Sequence, residues 1–270
     1  MKTVFRYPGG KTKIASKIVD ALIPIEHNKF VDVFAGGGSV FIEYANRNNN
    51  TDIIINDTDK YIFYFWYLMC NNRCDEIIDA IISCGEPTID KFNSMRKLED
   101  SSEIIMAFKA LFFNRTTFSG IFSSGPIGGY KQLGKYKINC RYNANKIIEK
   151  LKDISISLAK KNLSCLSIDF KDLISKYKDD SMALLYLDPP YMGQGHQLYN
   201  RFLLYNDYVE MANLLKGSKC KWIISHDDND NFLSFFRDWS NIISLADVSY
   251  TINSIKDNVK KELLVSNCLK

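Results

Sequence analysis

The sequence FVDVFAGGGSVFIE at residues 30–43 constrains the fold most, because an apolar run passes through three consecutive glycines into a helical run. Glycines at such a turn let the backbone approach a ligand closely, and the following helix points its N-terminus at that ligand. A second β-rich run, residues 52–56, is followed directly by Asp57. In a parallel sheet an acid at this place lies against ribose hydroxyls. The pattern predicts a nucleotide-type cofactor site, although glycine also serves tight turns for steric reasons alone.

Short β-rich runs alternate with helical runs in the first quarter of the chain and again after residue 160. This alternation predicts an α/β fold with a mostly parallel sheet. The last two predicted strands lie close together without a full crossover helix, so we expect an antiparallel pair at one end of the sheet. The predicted strands are residues 29–35, 52–56, 164–168, 182–187, 221–225, 242–250 and 262–267.

Between the second and third predicted strands the pattern changes to helices over residues 74–113, a glycine-rich loop, and a helix over residues 143–160. We therefore expect a catalytic domain, residues 1–73 and 161–270, interrupted by an insert, residues 74–160. Residues 109–152 carry nine lysines and arginines against one acid, whereas the remainder of the chain has 26 basic and 30 acidic residues. This asymmetry is typical of a polyanion-binding module, and a solvated basic face is the alternative.

The tetrapeptide Asp188-Pro189-Pro190-Tyr191 follows the apolar run 182–187 directly. A parallel sheet binds ligands outside the carboxyl ends of its strands, so we expect this tetrapeptide beside the glycine turn. Its chemistry suits an aromatic amine such as adenine N6: Asp188 and the Pro189 carbonyl can accept its two N–H bonds as positive charge develops. The prolines stiffen the loop, and Tyr191 offers a ring for a flipped base. The alternative is a proline-rich strand exit with an aspartate cap.

Cysteine and histidine content bears on metal sites and on the cellular compartment. Seven scattered cysteines form no CxxC pair, and the chain has three histidines, so we expect no metal site and thiols kept in a reducing cytoplasm. The longest apolar stretches are short and interrupted, so we expect no membrane span.

Several motifs in a fixed order carry a family resemblance. Besides the glycine turn and the tetrapeptide, the chain has RYPGGK at residues 6–11, Asn114-Arg115, an Ile-Ile-Ser strand at 223–225 and KELL at 261–264. With this set the chain resembles the Dam-like family (D12 class, alpha group) of DNA adenine-N6 methyltransferases over nearly its whole length. The resemblance implies a Rossmann-like sheet that binds S-adenosylmethionine, a target-recognition insert, and site-specific methylation of adenine N6 in duplex DNA by base flipping.

The resemblance also implies roles for individual residues. Tyr7 and Lys11 would contact the methionine end of the cofactor, Lys11 reaching its carboxylate; from local sequence alone Lys11 is an ordinary first-turn lysine. Asp57 would hold the ribose, and Asp188 would lie near the transferred methyl group. The implied cofactor-binding residues are Tyr7, Lys11, Phe34, Gly36, Gly38, Asp57, Asp169, Phe170 and Asp188, of which Asp169 and Phe170 border the adenine moiety.

In the insert, similar enzymes carry an aromatic wedge and polar phosphate contacts within the stretch that reads NRTTFSGI here. Phe118 is the candidate wedge, with a core aromatic as the alternative. GATC-specific relatives have an arginine where this chain has Ser123 and Ser124, so we expect a target other than GATC. A hairpin in the major groove is one interpretation of the glycine-rich segment. The candidate DNA-binding residues are Asn114, Arg115, Phe118, Ser119, Lys131, Lys135, Lys137 and Arg141.

Two other functions remain open at this point: an RNA adenine-N6 methyltransferase, which shares the flipped-base chemistry, and a catalytically inactive DNA-binding subunit. The insert and the N-terminal GGK motif favour DNA, and the intact motifs favour an active enzyme. By the resemblance we expect a prokaryotic or phage-encoded protein, monomeric or weakly dimeric, acting on double-stranded DNA, with a cognate restriction endonuclease as a further partner.

Overall fold

The computed structural model describes residues 2–6, 10–48, 50–190, 203–249 and 259–269. Within these ranges seven strands form one sheet in the order β3-β2-β1-β4-β5-β7-β6. The strands are β1 (Lys29–Asp32), β2 (Asp52–Asn56), β3 (Leu163–Leu166), β4 (Ala183–Leu187), β5 (Lys221–Asp227), β6 (Asn241–Ser249) and β7 (Val259–Ser266).

The first five strands run parallel, and β7 pairs antiparallel with both β5 and β6. The expected α/β sheet with an antiparallel pair at one end is thereby confirmed. Five of the seven strands differ in length from the prediction, and β1, β5 and β7 differ by two residues or more. Residues 33–35 leave β1, which ends at Asp32, because the chain already turns there toward the glycines. Strand β5 continues to Asp227, since β7 extends far enough to pair Asp227 with Glu262.

Helices cover both faces of the sheet, because the strands bury side chains on each side. In β1, Phe30 packs into one apolar cluster and Val31 into the opposite one. The helices are α1 (Ala15–Leu22), α2 (Ser39–Arg47), α3 (Lys60–Cys70), α4 (Cys74–Cys84), α5 (Ile89–Lys97), α6 (Glu103–Thr116), α7 (Ala144–Leu158), α8 (Phe170–Tyr177), α9 (Tyr205–Leu215) and α10 (Asp230–Leu233). Among the described residues, none of these helices is long and apolar enough to cross a membrane.

The insert shares its apolar core with the sheet domain. Helix α6 packs on α3, and α4 packs on α6 and α7. Phe92 and Phe112 of the insert belong to the same buried cluster as Phe65 and Trp66 of α3. The division at residues 74 and 160 stays a prediction, but the two parts meet through a continuous core.

The glycine-rich segment of the insert is built from turns. Over residues 117–142, all described, the β pairing is a single bridge between Thr117 and Pro126, so the structure does not contain the hairpin. The side chain of Gln132 holds this segment instead: its amide nitrogen donates to Ile127 O at 2.8 Å, and its oxygen accepts from Ile138 N at 2.9 Å. Side-chain bonds of this kind replace the backbone ladder of a hairpin.

Candidate active site and DNA-binding face

A cleft of about 300 Å³ lies at the carboxyl ends of β1, β2 and β4. Its volume is at the lower end of small-molecule sites, which span about 300–1,000 Å³. The structure brings nearly all described members of the predicted cofactor and catalytic sets into its wall. The predicted residues that line it are Lys11, Phe34, Gly36, Gly38, Asp57, Asp169, Phe170, Asp188 and Pro190. Tyr7 and Tyr191 lie outside the described residues.

The glycine turn is fixed by its neighbours. Gly36 and Gly38 have φ of +45° and +77°, and a Cβ on Gly38 would lie 2.4 Å from the Trp66 ring. The Trp66 indole donates to Gly36 O at 2.8 Å. Asp57 accepts from Gly36 N at 2.8 Å and from Asp59 N at 2.8 Å. The Asp57 carboxylate thus holds the glycine turn from the end of β2.

Asn56, the last residue of β2, connects the end of this strand to the segments that follow β1 and β3. Its amide nitrogen donates to Val33 O and to Ile168 O, each at 3.1 Å, and its oxygen accepts from Ile168 N at 3.0 Å. The side chain is almost fully buried. Sequence reasoning did not single out this residue, although a terminal asparagine in an apolar strand was the available signal.

Two phenylalanines form one wall of the cleft. The rings of Phe34 and Phe170 have centroids 5.6 Å apart and are tilted by 38°. Asp169 precedes Phe170 and caps α8, where its carboxylate accepts from Lys171 N at 2.9 Å. The predicted pair Asp169 and Phe170 therefore stands at a helix N-terminus that faces the cleft.

Asp188 leaves β4 with its carboxylate at the cleft, and its side chain is 26% exposed. The Lys11 ammonium lies 2.7 Å from Asp188 Oδ1 and 3.2 Å from Glu262 Oε1. Burial raises the pKa of Asp188 from its usual value, and the charge of Lys11 opposes that rise. The Lys11 ammonium is thus paired with two protein carboxylates, because buried anions need a counter-charge, and its contact with a cofactor carboxylate stays a prediction.

Asp32 at the end of β1 also lines the cleft and was not predicted as a site residue. Its side chain is buried, and Oδ1 has no hydrogen-bond partner among the residues that the structure describes. Burial, reinforced by the nearby charges of Asp188 and Asp57, raises the pKa of Asp32 well above its usual value. The available signal was an acid in the last position of an apolar strand, directly before the glycine turn.

The proline loop after Asp188 is held by α9. Tyr208, a buried residue of this helix, donates its hydroxyl to Pro190 O. Pro189 is buried and Pro190 faces the cleft. Tyr208 is a further residue that sequence reasoning missed, since its contact depends on how α9 packs.

The turn at residues 118–120 stands at the junction of the insert and the N-terminal segment. Phe118 is 64% exposed, which is inconsistent with the alternative of a core aromatic. Ser119 is exposed and has φ of +57°. Asn114 accepts from Arg6 N at 2.8 Å and donates to Arg6 O at 2.9 Å, so its side chain serves packing between these segments.

Arg115 does not fit its predicted contact with exposed phosphates. Its side chain is buried and donates to Val4 O. Burial, together with the positive charges of Arg6 and Arg141, lowers the pKa of Arg115 to about 10. The same neighbourhood lowers the pKa of Lys150, first by burial and then by the charges of Arg115, Lys2 and Arg6. Lys2, Arg6, Arg115, Arg141 and Lys150 thus form one cationic group. The predicted DNA-binding set contained Arg115 and Arg141 of these five residues.

The other candidate DNA-binding residues lie on the turns of the insert. Lys131, Lys135 and Arg141 are exposed. Lys137 is exposed too, but its ammonium donates to Gln132 O at 2.5 Å within the loop. Exposed apolar side chains are interleaved with these cations, and they are Tyr130, Leu133 and Tyr136.

Comparison with known proteins identifies the family of this chain. The chain matches the family model for D12 class N6 adenine-specific DNA methyltransferases over residues 7–251. It is 24% identical over 234 residues to the Type II methyltransferase M.CviBI of Paramecium bursaria Chlorella virus NC1A, covering 83% of this chain and 82% of the relative. It is 25% identical over 212 residues to the Type II methyltransferase M.MjaIII of Methanocaldococcus jannaschii, covering 71% of this chain and 69% of the relative.

A third relative is the Type II methyltransferase M1.LlaDCHI of Lactococcus lactis subsp. cremoris, 26% identical over 199 residues, covering 69% of this chain and 64% of the relative. The family match spans both the sheet domain and the insert, and the fold and the cleft agree with the expected methyltransferase. The chain therefore belongs to the D12 class of N6 adenine-specific DNA methyltransferases and is a site-specific DNA adenine methyltransferase.

Proposed function

We propose that the cleft binds S-adenosylmethionine and a flipped adenine together, and that Asp188 is the acceptor for the adenine N6 proton. The observation that carries this proposal is the position of Asp188. Its partly exposed carboxylate shares one cleft with the glycine turn and with Asp57.

The residues of the cleft suit the cofactor. Gly36 and Gly38 expose backbone for close approach, and Asp57 stands at the tip of β2 where ribose hydroxyls are held. The rings of Phe34 and Phe170 offer a surface for the adenine moiety, and Asp169 lies beside them. Bound there, the cofactor supplies an electrophilic methyl group whose sulfur leaves as a neutral thioether.

Asp188 and Pro189 prepare the adenine for attack. An aromatic amine is a weak nucleophile, because its lone pair is delocalised into the ring. Acceptors for both N–H bonds raise the electron density on N6 as positive charge develops there, and Asp188 takes the proton that is lost. Tyr208 fixes the Pro190 carbonyl, which restricts the loop that carries both acceptors.

The insert, residues 74–160, supplies DNA recognition in this proposal. Phe118 projects from the turn at the junction, where an aromatic can occupy the space left by a flipped base. Lys131, Lys135 and Arg141 neutralise phosphates, and the cationic group around Arg6 adds to them. Ser123 and Ser124 offer no guanidinium for guanine, which supports a target other than GATC.

The names of the relatives bear on biological context. M.CviBI and M.MjaIII are named Type II methyltransferases. On that ground we propose that this chain protects a site recognised by a partner restriction endonuclease. We further propose that it acts as a monomer or weak dimer in the cytoplasm.

Methyl transfer to duplex DNA tests the catalytic proposal. We expect the wild-type protein with S-adenosylmethionine to form N6-methyladenine, detected by mass spectrometry of the digested DNA, and Asp188→Ala to lose at least about 100-fold in rate. Asp179→Ala, which removes an exposed aspartate elsewhere, is the matched control. Wild-type turnover by Asp188→Ala would refute the assigned role. Sequencing of the methylated DNA then gives the target site, and a GATC product would refute the specificity proposal.

A further inference from the structure

Glu262 is a carboxylate in the interior of the sheet domain. It lies on β7, opposite Asp227 of β5, and its side chain has no exposed surface. A buried carboxylate costs several kcal/mol unless it is paired and hydrogen-bonded. The Lys11 ammonium, 3.2 Å away, supplies an opposite charge.

Lys11 connects this interior carboxylate to the catalytic one. The Lys11 side chain is 2% exposed, and its ammonium lies within 3.2 Å of both Glu262 and Asp188. An ammonium has three donors and can serve two carboxylates at once. Of the three side chains only Asp188 has substantial exposure at the cleft, so Glu262 holds Lys11 from the side away from the substrate.

We infer that Glu262 is a positioning residue for methyl transfer: it anchors Lys11, so that Lys11 orients Asp188, and it keeps Asp188 a strong acceptor. This inference rests on the proposed role of Asp188. If Glu262 were neutral, the Lys11 ammonium would lose one of its two carboxylate counter-charges and would interact more strongly with Asp188. The Asp188 carboxylate would then be a weaker acceptor for the adenine N–H bond.

The surrounding charges determine the sign of the pH effect. Burial is the largest influence on the pKa of Asp188 and raises it; Lys11 lowers it, Glu262 raises it, and His226 lowers it to a smaller extent. Loss of the Glu262 charge therefore lowers the pKa of Asp188. Within the described part of the chain, the titratable or charged groups around this carboxylate are Lys11, Asp32, Asp57, Tyr186, His226, Asp227 and Glu262.

The test is single-turnover methyl transfer as a function of pH for the wild type and Glu262→Gln. We expect the variant to lose about tenfold in rate at neutral pH, and the acid limb of its profile to move to lower pH. Its dissociation constant for S-adenosylmethionine, measured by calorimetry, should stay within about twofold of the wild type. Val265→Ala, a core truncation on the same strand, is the matched control: it lowers stability but leaves the acid limb in place.

A second readout uses the protein without cofactor. Because the folded-state pKa of Asp188 is raised, its contribution to stability is present below the unfolded pKa of about 3.9 and is lost as the pH rises through the folded value. In Glu262→Gln this loss should occur at lower pH, as seen in thermal unfolding across a pH series. An unshifted unfolding profile together with a wild-type rate would overturn the inference.

If Glu262→Gln does not fold, Glu262→Asp provides a second test of the inference. It keeps the charge but shortens the side chain by one carbon, so we expect a reduced rate with the acid limb near its wild-type position. A wild-type rate in this variant would also overturn the inference. Failure of the wild-type protein to methylate adenine would instead reject the proposed function, which keeps the two outcomes distinct.

Discussion

Replacement of Gly38 by alanine tests whether the glycine turn is required by geometry. At φ of +77° an alanine costs about 1–2 kcal/mol. Its Cβ would also lie 2.4 Å from the Trp66 ring and 2.6 Å from Phe41, so the indole must move. Displacement breaks the bond from Trp66 to Gly36 O, and a buried donor left unsatisfied costs about 1–3 kcal/mol. We expect a total loss of about 2–5 kcal/mol in the free energy of unfolding.

Gly129→Ala is the matched control for that loss. Gly129 has φ of +73°, but a Cβ there would have no atom within 4 Å, so only the backbone term of about 1–2 kcal/mol applies. Chemical denaturation gives both unfolding free energies, and calorimetry gives the dissociation constants for S-adenosylmethionine. We expect Gly38→Ala to bind the cofactor at least about tenfold more weakly, a loss of about 1.4 kcal/mol, and Gly129→Ala to bind it normally. Equal stability and affinity in the two variants would refute the argument.

Three further predictions concern DNA binding and pH. Replacement of Lys131, Lys135 and Arg141 by alanine should lower the log–log salt slope of DNA binding by about 2.7, at about 0.9 per phosphate contact; an unchanged slope would assign these cations to a solvated face. Phe118→Ala should slow methylation of paired adenine more than adenine opposite a mismatch, because less unstacking is needed there; equal effects on both duplexes would exclude a wedge. The methylation rate should fall as the pH decreases through the raised pKa of Asp188, so an acid limb at the ordinary aspartate value of about 3.9 would contradict the burial effect.

The cleft was predictable because parallel strands place their carboxyl ends along one edge of a sheet. The glycine turn follows β1, Asp57 follows β2 and Asp188 follows β4, so three motifs far apart in sequence meet once the strand order is known. Local patterns were sufficient for β1, β2 and β4, since their apolar runs are buried on both faces. The cleft residues that follow the strands were therefore accessible to sequence reasoning, whereas Asp32 and Asn56, which end β1 and β2, were missed.

The buried charged side chains of Asp32, Glu262 and Arg115 were not predictable in the same way. Asp32 and Glu262 lie within strands, where an acid departs from the apolar pattern and gives no indication of its partner. Glu262 reaches Lys11 only because β7 lies between β5 and β6, a topology that the sequence pattern left undetermined. Arg115 is buried through a contact with Val4, 111 residues away, which charge counting cannot detect.

Long-range contacts of this kind also give the described N-terminal residues a structural role. Thr3 donates to the glycine turn, the backbone of Arg6 is bonded to Asn114 of the insert, and Lys11 is paired with Asp188. Three described positions within nine residues of sequence thus contact the glycine turn, the insert and Asp188. Because packed interiors transmit displacement with little compression, a shift of the insert at Asn114 would also displace the backbone of Arg6. We therefore expect the position of the insert relative to the cleft to depend on the N-terminal residues as well as on the sheet.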